Sequence, residues 1–310
     1  MPTKQPSERK ATAPLINLRA YQREAFVSEL RRLFLLWCRQ KGKSFALGCK
    51  ALDWMMATPG VLVTMISASV NLGTEVLLKE ATIWRDMIGI LRAAAEKADL
   101  KLTTNADGLD FDALCDILDH SKLEVKLWHD RTTCSRSRVI APNPDTAVGW
   151  TGHIIMDEVG RVPNAQEVLE AVMPFMDSNP AFNLLMATTP PPDDKHYTFE
   201  LFAPPPDAVF EVNPKGNWYR SASGIMVHRV DAWDAHAAGV PLYHPETRLP
   251  IEPEEHRALA FDKRAWDRNY ALKFLAGGTS AVSMAALARA MQRGRELGLV
   301  GVNVTEEVAA

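Results

Sequence analysis

The stretch "LFLLWCRQKGKS" (residues 33–44) carries the strongest indication of the fold. It begins with a continuous apolar run that stops at a glycine-containing turn, which is typical of a buried parallel strand. Residues 43–57 then place apolar side chains at helical spacing. A strand, a turn and a helix in this order are the context of a phosphate-binding loop, G-x-x-x-x-G-K-[ST].

Gly42, Lys43 and Ser44 match the second half of that pattern, but Trp37 stands where the first glycine belongs. A phosphate loop needs converging backbone N–H groups, a lysine for the β- and γ-phosphates, and a hydroxyl for Mg²⁺. We therefore predict Lys43 as a phosphate ligand and Ser44 as a metal ligand. Because G-K-S also occurs by chance, a basic surface turn is the alternative.

Two acids end a second apolar stretch, "HIIMDE" at 153–158. A strand that delivers carboxylates at its C-terminal end suits a Mg-dependent ATPase. Asp157 can hold the metal shell, and Glu158 can accept a proton from the attacking water. A solvated acid pair or a helix cap is the simpler alternative.

A third apolar stretch, "LLMATT" at 184–189, ends in two hydroxyls, Thr188 and Thr189. Ligands of open α/β sheets bind beyond the carboxyl ends of the strands, so these hydroxyls could sense a γ-phosphate. Gln22 precedes the loop, and its carboxamide could read adenine by donating and accepting at once. A polar strand end and a surface glutamine are the alternatives.

The rest of the chain alternates short apolar strands with helical segments, which indicates a parallel α/β architecture. Helices are predicted at 18–30, 71–98, 164–176 and 282–297, and a strand hairpin is predicted at 123–142. The whole chain has 47% hydrophobic and 24% charged residues, which is ordinary for a globular protein. The apolar runs are shorter than the ~18–20 residues that span a bilayer, and we expect a cytosolic protein. Four cysteines without a C-x-x-C pair are expected to be inert thiols. Residues 1–50 carry a net charge of +8, which could serve phosphates or be a solvated face.

The order of these four motifs resembles the ATPase domain of the large terminase subunit of tailed bacteriophages. The resemblance is closest to the Mu-like phage group, in the segments 135–158 and 228–242, and it covers roughly residues 15–275. It implies a P-loop (ASCE-type) NTPase of the α/β class, with a central, mostly parallel sheet flanked by helices. The implied domains are a disordered leader (1–14), the ATPase domain (15–255) and a helical extension toward an absent nuclease domain (256–310).

The resemblance also implies the roles of individual residues. Lys43 and Ser44 would bind ATP and Mg²⁺, Asp157 would complete the metal site, and Glu158 would be the catalytic base. Thr188 and Thr189 would form a coupling motif, and Gln22 would lie at the adenine. The remaining loop residues would belong to the nucleotide site, with a catalytic role for the arginine: Arg39, Gln40, Lys41 and Gly42.

The implied function is that of an ATP-hydrolysing motor subunit that packages double-stranded DNA into the procapsid. Its implied partners are the DNA, the portal protein and the small terminase subunit. It would act as a homo-oligomeric ring without contacting a membrane. Its implied location is the host cytoplasm, transiently docked on the portal of the procapsid.

The sequence departs from the family pattern at two positions. Val148 occupies a place where the family has an arginine, a candidate finger whose loss can cost about 10³–10⁵ in turnover. Arg136, Arg138 or Arg161 could substitute for it. Asn303 stands where the first nuclease strand has an aspartate, so no nuclease activity is expected of this chain.

Two other functions compete with the packaging motor. A superfamily 2 helicase-like translocase would share the glutamine, the loop and the acids, but residues 240–310 show no second ATPase-like lobe. A hydrolysis-poor nucleotide-binding remnant or scaffold would account for Val148 and for the missing nuclease.

Overall fold

The computed structural model describes residues 14–97, 114, 116–146, 150–177, 179–192, 194–275, 290–294 and 297. Residues 1–13 of the predicted leader lie outside this part of the chain, as do Val148 and Asn303. Most of the helix predicted at 282–297 also lies outside it.

In the described part of the chain, nine strands form one sheet and two short strands form a separate hairpin. The strands are β1 (Arg32–Trp37), β2 (Leu62–Ser67), β3 (Leu118–His120), β4 (Glu124–Trp128), β5 (Cys134–Ile140), β6 (His153–Asp157), β7 (Leu184–Thr188), β8 (Asn217–Arg220), β9 (Met226–Val230), β10 (Leu242–Tyr243) and β11 (Pro250–Ile251). The helices are α1 (Ala20–Phe26), α2 (Lys43–Ala57), α3 (Val70–Lys97), α4 (Ala165–Val172), α5 (Tyr197–Phe202), α6 (Ala232–Ala237), α7 (Pro253–Leu259) and α8 (Lys263–Asn269).

The large sheet has the strand order β3-β4-β5-β2-β6-β7-β1-β9-β8. Its six consecutive strands from β5 to β9 are parallel, whereas β4 and β8 pair antiparallel at the two sides. One strand, β7, lies between β1, which leads into the glycine loop, and β6, which ends in the two acids. The predicted mostly parallel sheet is therefore confirmed.

Every residue of β2, β6 and β7 is buried, so helices and loops must cover both faces of the sheet centre. Helices α2 and α3 pack against each other and both contact β2 and β5, which places them on the same face. Their apolar stripes, with the strands, form one continuous core. Burial of apolar surface is the dominant favourable contribution to folding.

Several predicted elements agree with the structure, and some boundaries move. The helix predicted at 18–30 is shorter, because α1 ends at Phe26. The helix predicted at 164–176 ends as α4 at Val172 and continues as a 3-10 helix, Met173–Met176, which contains Pro174. Proline has no N–H for the α-helical bond, which explains this change. The hairpin predicted at 123–142 is the antiparallel pair of β4 and β5.

A second, smaller apolar cluster lies beyond the carboxyl end of β9. It consists of Ala232, Leu242, Trp266 and Ala271, with Trp233, Ala260 and Tyr270 packed against it. Hydrogen bonds join this region to the main sheet and its loop, since Arg229 of β9 donates to the Ala271 carbonyl and the Arg39 N–H donates to the Asn269 carbonyl. Among the described helices, none is both long and apolar enough to cross a bilayer.

Gly152, directly before β6, lies close to the backbone of β2 and provides a test of the fold. A Cβ at this position would lie 2.1 Å from the Leu62 carbonyl oxygen, and backbone cannot yield as a flexible side chain does. We expect Gly152→Ala to lower the free energy of unfolding by about 3 kcal/mol, measured by urea denaturation.

Gly89→Ala is the matched control, because a Cβ at this exposed position of α3 would meet nothing within 4 Å. The helix propensity of alanine should raise the free energy of unfolding by about 0.5–1 kcal/mol. Equal stability of the two variants would contradict the close approach of β2 and β6.

Candidate functional site

The ends of three parallel strands meet at one edge of the sheet. Leu36 of β1 is paired with Thr188 of β7, and Ala187 of β7 is paired with Asp157 of β6. The carboxyl ends of β1, β7 and β6 therefore lie side by side. This register brings the glycine loop, the two acids and the two threonines of the sequence prediction to a single place.

The loop between β1 and α2 turns through two residues with left-handed backbone, Gln40 (φ 55°) and Gly42 (φ 82°). Such turns direct successive N–H groups into one concavity, which can bind an anion. Gly42 caps the 15-residue helix α2, whose N-terminus adds a partial positive charge. A Cβ on Gly42 would lie 2.6 Å from Gln22 Nε2, so a side chain here would displace the Gln22 carboxamide.

Trp37, at the position of the missing first glycine, is the last residue of β1 and is fully buried. It is paired with Val230 of β9, so its backbone belongs to the sheet. The indole packs edge-on against Tyr21, with ring centroids 5.1 Å apart. The side chain fills core beneath the loop rather than the concavity, which explains how a tryptophan is accommodated there.

Ser44 and Asp157 lie in direct contact, since the serine Oγ donates to Asp157 Oδ2 at 2.8 Å. Burial raises the pKa of Asp157, and the nearby charge of Glu158 raises it further. A hydroxyl beside a carboxylate is a pair of hard oxygen ligands of the kind that Mg²⁺ prefers. These two side chains therefore fit a Mg²⁺ site that completes its shell with waters and phosphate oxygens.

Lys43 is buried and turned back onto its own loop. Its Nζ donates to the carbonyls of Trp37 (3.0 Å) and Cys38 (3.4 Å). It also lies 3.5 Å from Glu158 Oε1. The ammonium thus rests on protein oxygens at the mouth of the loop, where phosphate oxygens could replace them.

Glu158 directly follows β6 and has a left-handed backbone (φ 52°), an uncommon conformation for a residue with a side chain. Within the described part of the chain, its buried Oε2 atom has no hydrogen-bond donor. Backbone strain and an unsatisfied carboxylate oxygen both cost stability, and such features cluster at functional sites. A water molecule could donate to this oxygen.

The two threonines connect the end of β7 to the segment after Glu158. Thr188 Oγ1 accepts from the Gly160 N–H at 3.0 Å and donates to the Thr189 carbonyl at 2.8 Å. Both threonines are buried. A Cβ on Gly160 would lie 2.6 Å from Thr188 Oγ1, so these two strand ends are tightly joined.

Gln22 of α1 is buried, and its carboxamide contacts the glycine loop. Its Oε1 accepts from the Arg19 N–H at 3.0 Å, and its Nε2 donates to the Gly42 carbonyl at 3.2 Å. One N–H and one oxygen lone pair of the carboxamide are left over. Tyr21, which belongs to no sequence motif named above, donates its hydroxyl to the Lys41 carbonyl at 2.9 Å.

The side chains of Lys41 and Arg39 have different surroundings. Lys41 Nζ donates to the carbonyls of Val240 and Pro241, so its ammonium is committed away from the loop concavity and only its backbone N–H is left for phosphate. The Arg39 N–H donates to the Asn269 carbonyl. Within the described chain, the Arg39 guanidinium has no hydrogen bond or ion pair.

Two of the arginines that could substitute at Val148 have partners elsewhere. The Arg138 guanidinium lies over the Trp150 ring, 4.9 Å from its centroid. Arg136 lies 3.7 Å from a Glu124 oxygen, at the far side of the sheet. Arg161 is exposed, three residues after Glu158, in the 3-10 helix Val159–Arg161.

Neither the family models nor the curated proteins match this chain. Two solved structures of the large terminase ATPase domain of Thermus phage P74-26 are similar to it. A mutant form has 17% sequence identity and a TM-score of 0.55. The alignment with it covers 82% of this chain and 93% of the phage domain. A second structure of the domain has 18% identity, the same coverage and a TM-score of 0.51. At these identities the likeness shows the fold, an α/β P-loop NTPase.

The buried carboxylate of Asp157 leads to a stability prediction. When folding raises the pKa of an acid, keeping that acid ionised at neutral pH lowers the free energy of unfolding. This destabilisation disappears as the pH falls, because the acid becomes protonated in both states. We therefore expect Asp157→Asn to raise the free energy of unfolding without nucleotide by about 1 kcal/mol at neutral pH.

The difference in the free energy of unfolding between Asp157→Asn and the wild type should shrink as the pH is lowered from about 8 to about 5, measured by urea unfolding. Asp86→Asn, an exposed site on α3, is the control and should change little. A destabilised Asp157→Asn at neutral pH would contradict the prediction.

Proposed function

We propose that this chain is the ATP-hydrolysing motor subunit of a phage terminase, of the Mu-like group, that packages double-stranded DNA into the procapsid. The observation that carries the proposal is the convergence of Ser44, Lys43, Asp157 and Glu158 at the loop of a P-loop NTPase fold. The likeness to the ATPase domain of the Thermus phage P74-26 large terminase supports it.

In this proposal, the loop binds the triphosphate of ATP. Backbone N–H groups of residues 40–44 surround the phosphates at the N-terminus of α2. The Lys43 ammonium leaves the carbonyls of Trp37 and Cys38 and contacts the β- and γ-phosphates. Ser44 and Asp157 would hold Mg²⁺, which would neutralise charge on the phosphate oxygens.

Glu158 is the proposed catalytic base. Its free Oε2 orients a water and accepts its proton while the water oxygen attacks the γ-phosphorus and ADP leaves. The Arg39 guanidinium, which is not held by the described protein, contributes positive charge to the transferred phosphoryl group. Gln40, Lys41 and Gly42 take part through the backbone of the loop.

Thr188 and Thr189 are proposed to couple hydrolysis to movement. Because Thr188 bonds the Gly160 N–H, a shift of the segment after Glu158 is passed directly to the end of β7. DNA would be held by Lys and Arg contacts to phosphates, without reading of sequence. The proposed assembly is a homo-oligomeric ring with the portal protein and the small terminase subunit, in the host cytoplasm and docked on the procapsid.

Proposed domains follow the same division as the sequence prediction, with the ATPase at 15–255 and a helical extension at 256–310. The described residues 240–275 contain α7, α8 and the β10–β11 hairpin, which do not build a second ATPase-like lobe. The likeness to the large terminase ATPase domain of Thermus phage P74-26 favours the motor over a helicase-like translocase. A hydrolysis-poor nucleotide-binding scaffold is separated from the motor by the assay below.

ATP hydrolysis in the presence of double-stranded DNA and portal protein tests the motor directly. We expect Glu158→Gln to lower kcat by about 10²–10⁴, because the proton acceptor is lost. Binding of ATP should persist, since the amide still fits beside Lys43.

The control for that assay is Glu167→Gln, an exposed residue of α4 that lies outside the site. Its activity should equal that of the wild type. A wild type that binds ATP but shows no hydrolysis with DNA and portal would remove the motor proposal and leave the scaffold.

The proposed contact of Gln22 with adenine can be measured by comparing ATP with GTP. Gln22→Ala removes the bond to the Gly42 carbonyl, which should weaken both nucleotides. Loss of the adenine contact should weaken the binding of ATP by a further factor of about 5–10, which corresponds to the free energy of one hydrogen bond. Equal losses for the two nucleotides would assign Gln22 to the loop alone.

A further inference from the structure

Trp37 and His228 form a buried hydrogen-bonded pair beneath the phosphate loop. His228 belongs to β9, which pairs with β1 so that Leu35 faces His228 and Trp37 faces Val230. The Trp37 Nε1–H donates to His228 Nδ1 at 3.2 Å. On its other side, the imidazole Nε2 bonds the Lys215 carbonyl at 2.9 Å. Both side chains are fully buried.

These two bonds define the protonation state of His228. The indole N–H is a donor only, so Nδ1 must accept and carry no proton. The Lys215 carbonyl is an acceptor only, so Nε2 must carry the proton. Burial lowers the pKa of His228 to about 4, so the neutral form persists at physiological pH.

The surroundings of the imidazole fit this arrangement closely. Gly216 has a left-handed backbone (φ 80°), and a Cβ there would lie 2.4 Å from His228 Nε2. The Trp218 ring covers the imidazole, with centroids 4.5 Å apart. His228 therefore has little freedom to rotate, and the acceptor that it presents to Trp37 is fixed in position.

Trp37 transmits this position to the nucleotide site. It is the first residue of the loop pattern, and its carbonyl accepts from Lys43 Nζ. The indole also packs against Tyr21, whose hydroxyl donates to the Lys41 carbonyl. A rotation of the indole would move the start of the loop and the carbonyl on which Lys43 rests.

We propose that His228 is a positioning residue of the nucleotide site, which acts through the Trp37 indole to hold the phosphate loop in its binding shape. The inference rests on the proposed function, because it assumes that the loop binds ATP. A glycine-first loop owes its course to the backbone, whereas this loop has a buried side chain at that position. The imidazole fixes the indole, and the indole fixes the loop.

Two substitutions of His228 separate its two hydrogen bonds. His228→Asn places its amide oxygen near the position of Nδ1 and keeps an acceptor for Trp37. His228→Gln reaches the position of Nε2 and keeps the donor to the Lys215 carbonyl, but loses the acceptor for Trp37. Trp37→Phe removes the donor from the other side and preserves an aromatic ring in the core.

We expect Trp37→Phe and His228→Gln to weaken ATP binding about five- to tenfold, the effect of one hydrogen bond, relative to His228→Asn. KM for ATP should rise by the same factor with little change in kcat, because the loop is misplaced and the base is not. The double variant should be no weaker than either single one, since both break the same contact. Trp84→Phe, which likewise removes the hydrogen bond of a buried indole but lies on α3 outside this pair, should bind ATP like the wild type.

The thermal midpoint is measured for every variant, so that stability and affinity can be compared. If affinity follows the thermal midpoint across the whole set, with the asparagine and glutamine variants equal, His228 is structural only and the inference is wrong. Unchanged ATP affinity in Trp37→Phe would also overturn it. A wild type that binds no ATP would instead remove the proposed function, and this inference with it.

Discussion

The parallel pairing of β1 with β7 and of β7 with β6 places three strand ends at one edge of the sheet. Every feature of the candidate site depends on this register. It sets Ser44 against Asp157 and Lys43 beside Glu158, although more than a hundred residues separate the partners in sequence. A shift by one residue would turn the side chains of a strand to its opposite face and dismantle the site.

In the absence of a ligand, the polar groups of the site lower the stability of the folded protein. Asp157 is a buried acid with a raised pKa. Glu158 combines a left-handed backbone with an oxygen that no described donor reaches. Lys43 rests on carbonyls of its own loop. Phosphate, a cation and water would satisfy these groups together, which is the pattern expected where function is maintained at the expense of stability.

The loop itself is supported from three directions by side chains that its motif does not contain. Gln22 bonds the Gly42 carbonyl, Tyr21 bonds the Lys41 carbonyl, and His228 bonds the Trp37 indole. Lys41 adds a connection outward to the segment that precedes β10. The absence of the first glycine is thus compensated by packing and hydrogen bonds, which restrict the loop as backbone geometry does in the common pattern.

The sequence by itself determined the long elements and the order of the motifs, because hydrophobic periodicity is a local property. β1, α2 and α3 were predictable on that basis, whereas the two-residue strands β10 and β11 were too short to show a period. The tertiary structure alone decided the directions of individual side chains. Lys41 and Lys43 flank the same glycine, yet one ammonium lies on Val240 and Pro241 and the other faces Glu158, because their partners come from distant strands and loops.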